Sequence, residues 1–176
     1  MGRLDRELAG VKALCPNAAV QGVADGATSN WAWLIPRADV QALYFYHLST
    51  YISKVSDILF AKNSSDREEW TETWLNKIKC SNNGADLLID GLEERREALK
   101  KPSAEELDKV LVRLNNQKER THYRRERTNN RPIGSGVIEA ACKKNAHQTT
   151  HVLLRNEADQ RWGLKYYSNL ISYPFK

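Results

Sequence analysis

The sequence contains little that crosslinks or anchors. Of 176 residues only three are cysteines, Cys15, Cys80 and Cys142. Their number is odd, their spacing is wide, and no C-x-x-C pair occurs, which excludes a disulfide framework and a zinc ribbon and fits a reducing compartment. No apolar run approaches the length of a membrane span. The opening "MGRLDRELAG" has no apolar signal core, and Arg6 stands where a myristoylation signal needs Ser or Thr. A cytoplasmic location with no membrane partner is therefore expected. No internal repeat and no low-complexity linker is evident.

What is present describes a folded chain. It is 41% hydrophobic and 28% charged, enough for a core of ordinary domain size. The net charge of +5 permits a polyanionic partner such as nucleic acid without requiring one.

Periodicity gives the order of elements. Leu4, Leu8, Val11 and Leu14 are spaced as on a helix, ended by Pro16 and Asn17. "AAVQGVA" (18–24) reads as a buried strand running into the turn dipeptide Asp25-Gly26. A short helix over 29–35 is closed by Pro36, and the aromatic-rich 40–47 reads as a second strand. From 48 to about 128 the pattern is almost wholly helical. Ile52, Val55 and Leu59 share one face, as do Trp70, Trp74 and Ile78, and then Leu88, Leu92 and Leu99. Ser65 with Glu68, and Ser103 with Glu106, have the spacing of capping boxes. Pro102 separates the last two helices, the final one running through Leu107, Val110, Leu111 and Leu114 to about residue 127. The fold class expected is an α-rich α/β chain in three parts: 1–47 with the strands, 48–128 as a helical block, and 129–176 with a further helix and tail.

Two acids stand where chemistry could use them. Asp25 ends a buried strand, the edge at which open α/β sheets bind ligands. Glu139 sits among apolar residues at the start of a helix, in "RPIGSGVIEAACKK" (131–144), behind Gly134 and Gly136, which allow a tight turn and close approach. If they converge, they form an all-oxygen site suited to Mg²⁺. Each also has a plainer reading, Asp25 as a turn residue and Glu139 as a first-turn acid facing the helix dipole.

Other clusters are weaker. "ERTHYRRERTNNR" (119–131) is arginine-rich with His122 and Tyr123 interleaved and suits a phosphate backbone, although Glu119 and Glu126 dilute its charge as on a solvated helix face. Cys142, His147 and His151 lack a fourth zinc ligand. Paired tryptophans at i, i+4 read as core, and Ser135 has no evident base partner.

The run Pro132–Lys143 closely resembles the P-I-G-S-G-x-x-E-A-A-C-K signature of the ISKra family of insertion-sequence transposases. "LNNQKERTHYRRERTNN" resembles the Asn-rich, Arg/Tyr-containing helix that precedes it, "VADGATSNWAWL" the D-G-A-x-x-x-W segment, and "YFYHLSTYISKVSDIL" the D-F-Y-H segment, with Tyr44 in place of the acid. The resemblance implies a DDE transposase with a ribonuclease H-like core, here partial, and a large all-helical insertion. It implies DNA cleavage and strand transfer with two Mg²⁺ or Mn²⁺ ions, Asp25 and Glu139 being the second and third acids of the triad. The first acid is expected on an earlier strand, so this chain reads as a C-terminal fragment that is inactive alone. DNA, as transposon ends and target, is the implied partner, with Arg124, Arg125, Arg127, Arg131, Lys143 and Lys144 as candidate contacts, and a homo-oligomer is compatible with it. The alternative is a non-catalytic helical module that binds DNA or protein.

Overall fold

The structure, a computed structural model, describes residues 2–62, 64–134, 150–155 and 162–163. It is mostly helical with a small sheet, the α-rich α/β class expected. The chain divides into two units, Met1–Gln41 with Ala146–Lys176, and Ala42–Asn145.

In the first unit, α1 (Arg3–Leu14) is followed by strand β1 (Val20–Ala24) and helix α2 (Thr28–Leu34). Every residue of β1 is buried, which is why it reads as a nearly continuous apolar run rather than an alternating one. Gly22 is fixed by packing: a Cβ there would lie 2.8 Å from Leu34 Cδ2 and 3.1 Å from Ala38 Cβ, so α2 and the turn after it press directly on the strand backbone. Trp31 and Leu34 are the buried face of α2. Asp5 of α1 accepts from Arg37 Nε at 2.7 Å, and that bond, ahead of one from the Gly2 N–H, holds its carboxyl below the ordinary value of 3.8.

Strand β2 (Val40–Leu43) runs from the first unit into the second. The sheet order is β2-β1-β3-β4, with β1 and β2 parallel. β3 (Thr150–Arg155) pairs antiparallel with β1, Val20 opposite Leu154 and Ala24 opposite Thr150. The two-residue β4 (Trp162–Gly163) pairs with β3. The sequence reading placed only a helix and a tail in this region. His151, one of the three potential zinc ligands of the sequence, lies on β3 opposite Val23.

The second unit holds α3 (Phe45–Leu59), α4 (Ser65–Cys80), α5 (Gly84–Arg96), α6 (Lys101–Gln117), a 3-10 turn at Lys118–Arg120, and α7 (Tyr123–Thr128). Leu48, Ile52, Val55, Ile78, Leu88, Leu92, Leu107, Val110, Leu111 and Leu114 form its core. The expected apolar faces are therefore present, although Leu59 and Leu99 are only half-buried, as are Trp70 and Trp74, whose rings lie 6.2 Å apart.

Four boundaries differ from the sequence reading. The strand expected over 40–47 stops at Leu43, because Phe45 donates its N–H to Ile133 C=O and opens α3. Ser64, not Ser65, caps α4 by accepting the Arg67 N–H, so no capping box forms with Glu68. Pro102 does not separate helices. It lies in the first turn of α6, where its missing N–H would have had no helical partner, and Lys100 rather than Ser103 occupies the cap. That helix also ends at Gln117 instead of about 127, and α7 is a separate piece. Among the described residues no helix is long and apolar enough to cross a membrane.

Candidate functional site

Asp25 stands directly after the buried strand β1, and it is half-buried. Its Oδ1 accepts from the Ala27 N–H at 3.1 Å and from Asn30 Nδ2 at 2.8 Å. Helix α2 starts on Ala27, which has no side-chain acceptor of its own, so Asp25 closes an Asx turn and supplies the oxygen the helix start lacks. Oδ2 forms no hydrogen bond among the described residues. The turn role of Asp25 is thus carried by Oδ1, which fixes the direction of the carboxylate.

The segment that leads into the glycine-rich run lies in the second unit. Tyr123 is fully buried, donates its hydroxyl to Leu43 C=O at 3.0 Å, and sits edge-on to Phe45 with ring centroids 5.1 Å apart. Helix α7 then ends in a Schellman motif. Asn130 takes the left-handed conformation (φ 53°), its N–H bonds Arg127 C=O at 3.0 Å, and the Arg131 N–H bonds Glu126 C=O at 2.7 Å. In most such motifs an apolar contact joins the residues on either side of the turn. Here an ion pair does so: Glu126, 1% exposed, accepts from Arg131 Nη1 at 3.3 Å and from Arg125 Nε at 2.9 Å. Beyond the turn, Ile133 C=O takes the Phe45 N–H, and Gly134 lies so close to Tyr44 that a Cβ would be 3.2 Å from its Cε2. The close approach expected of Gly134 is therefore to an aromatic ring.

The four candidate arginines do not form one patch. Arg124 and Arg127 are exposed and form no ion pair among the described residues, whereas Arg125 and Arg131 compensate Glu126. Tyr123 is unavailable to a partner. His122 Nδ1 lies 3.0 Å from Asn82 C=O, with Glu119 3.7 Å from its other nitrogen. Sequence reasoning took Glu126 for a surface charge. Its partners at i−1 and i+5 are not helical spacings, and only the Asn-Asn-Arg sequence after a short helix hinted at the turn that brings Arg131 back. In the Tyr44–His47 segment, Tyr44 is buried and His47 Nε2 lies 2.7 Å from Tyr51 Oη.

Glu139, Lys143 and Lys144 lie outside the described residues, as do Ser135, Gly136, Cys142 and His147. Among the described residues no group of three or more His, Cys, Asp or Glu could hold a metal ion. Asp25 offers one hard oxygen to Mg²⁺ or Mn²⁺, chemically apt but a single ligand of the several such ions need. No family model, no curated protein and no solved structure matches the chain.

Proposed function

We propose that the chain is part of a DDE transposase of the ISKra type, with a ribonuclease H-like core, acting on transposon ends and target DNA. Asp25 and Glu139 would be the second and third acids of its triad and would hold Mg²⁺ or Mn²⁺. Held by these two carboxylates, a divalent ion would supply charge stabilisation for an in-line phosphodiester displacement. The observation that carries the reading is Asp25 itself: a carboxylate at the end of a fully buried strand, aimed by two hydrogen bonds through one oxygen, with the other uncommitted. The twelve-residue resemblance over Pro132–Lys143 supports it. The structural use of Oδ1 favours a second reading, a helical module that binds DNA or protein without catalysis.

A Mn²⁺ titration followed by the loss of free-ion signal separates the two. Asp25→Asn keeps an Oδ1 acceptor, and with it the turn, while removing the charge. We expect Asp25→Asn and Glu139→Gln each to weaken Mn²⁺ binding by about tenfold or more, since even partners behind the ligands change affinity by about 10–100-fold. Variants that bind as the parent does favour the non-catalytic module.

A further inference from the structure

We infer that Arg124 and Arg127 alone form the phosphate-contacting face of the 119–131 segment, Arg125 and Arg131 being committed to Glu126. The inference rests on the DNA-binding reading above. Its basis is the asymmetry of α7. One side is turned inward by Tyr123, fully buried, and Glu126, 1% exposed. The carboxylate of Glu126 takes a guanidinium N–H from each of Arg125 and Arg131. A charge so placed needs both partners, because a carboxylate without compensation is strongly disfavoured away from water. Either arginine could turn to a phosphate only by exposing Glu126 to that loss. The local sum of Glu126, Arg125 and Arg131 is a single positive charge.

Arg124 and Arg127 have no such duty. They lie three positions apart on the helix, a spacing that sets Cβ atoms about 5–6 Å apart on one side. Both are exposed, and neither has an ion-pair partner among the described residues. The nearby basic groups are occupied: Lys118 faces Asp86 at 3.6 Å, and Arg120 Nη1 donates to Asn116 C=O and Gln117 Oε1, each at 3.2 Å. The partner chemistry is therefore a run of closely spaced phosphates met by two unshared guanidinium groups, which suits duplex DNA.

The test is the salt dependence of binding to a short random-sequence DNA duplex, measured by fluorescence anisotropy over a series of KCl concentrations. Each phosphate neutralised contributes about 0.9 to the slope of log affinity against log salt concentration. The R124Q/R127Q variant is expected to flatten the slope by about 1.8 at that rate for two contacts. R125Q and the triple R125Q/E126Q/R131Q variant, which removes all three charges of the lock together and so leaves no buried charge and no released arginine, are expected to keep the parental slope. If the parent binds but either of these flattens it as far as R124Q/R127Q does, the assignment is overturned. If the parent shows no salt-dependent affinity, the DNA-binding reading falls and the assignment with it.

Discussion

Tyr123→Ala is expected to lower the stability of the helical unit by about 3–5 kcal/mol, the range for deleting a large buried aromatic ring. The ring is completely enclosed, it meets Phe45 edge-on, and its hydroxyl satisfies the carbonyl of Leu43, eighty positions earlier in the chain. Three kinds of loss therefore coincide: buried apolar area, an aromatic pair, and a carbonyl left without its donor. Tyr123→Phe isolates the last and should cost about 1–2 kcal/mol. The phenol also carries a pH signature. Burial, reinforced by the neighbouring Tyr51, raises its pKa well above the ordinary 10.0. The folded state thus keeps the proton that the unfolded state releases. The contribution is complete below pH 10 and declines as pH rises toward the folded value. Urea unfolding midpoints measured either side of pH 10 should show this decline in the parent and less of it in Tyr123→Phe. A Tyr123→Ala variant within 1 kcal/mol of the parent would contradict the packing described.

The second large effect concerns the lock beneath α7. Arg131→Met leaves the carboxylate of Glu126 buried with Arg125 as its sole partner, and should destabilise by about 3 kcal/mol, at the low end for breaking a buried pair because Arg125 remains. Glu126→Gln should cost less, about 1.5–2 kcal/mol, since the arginines it releases have access to solvent. Arg125 is half exposed and Arg131 about one-fifth. Replacing both partners, as Glu126→Leu with Arg131→Met, should recover most of the loss, because an apolar pair needs no compensation. A double-mutant cycle in unfolding free energy reads the coupling directly. A value of about 1–3 kcal/mol is expected, and additivity within about 0.5 kcal/mol would show that the pair does not act as a unit.

These two sites also mark how far the sequence was legible. Strand β1, helix α2 and the apolar faces of α3 to α6 could be read from local periodicity, because each buries a face whose spacing is set by its own geometry. The turn at Asp25 was legible from the Asp-Gly dipeptide. The end of β2 was not, because Tyr44-Phe45-Tyr46 favours a strand locally, while the bond from Phe45 to Ile133 is made across the chain. Helix α6 stops ten residues short of the end its sequence suggests, since the polar "QKERTHYRRER" suits a helix as well as a break followed by a second helix. The burial of Tyr123 and Glu126 was hidden for the same reason. A run of arginines around an acid looks solvated until Leu43 and Arg131 are brought against it. Strand β3 was missed because its partner β1 lies at the other end of the sequence.

The most direct measurement for the functional proposal replaces the expected cation with Fe²⁺ and maps where ascorbate and peroxide then cut the polypeptide. A cation held by the acid after β1 and the acid of the glycine-rich run should give mass-spectrometric cleavage sites beside both Asp25 and Glu139, and excess Mg²⁺ should suppress both sets together. Cuts beside only one of the two, or beside neither, would contradict a shared metal centre.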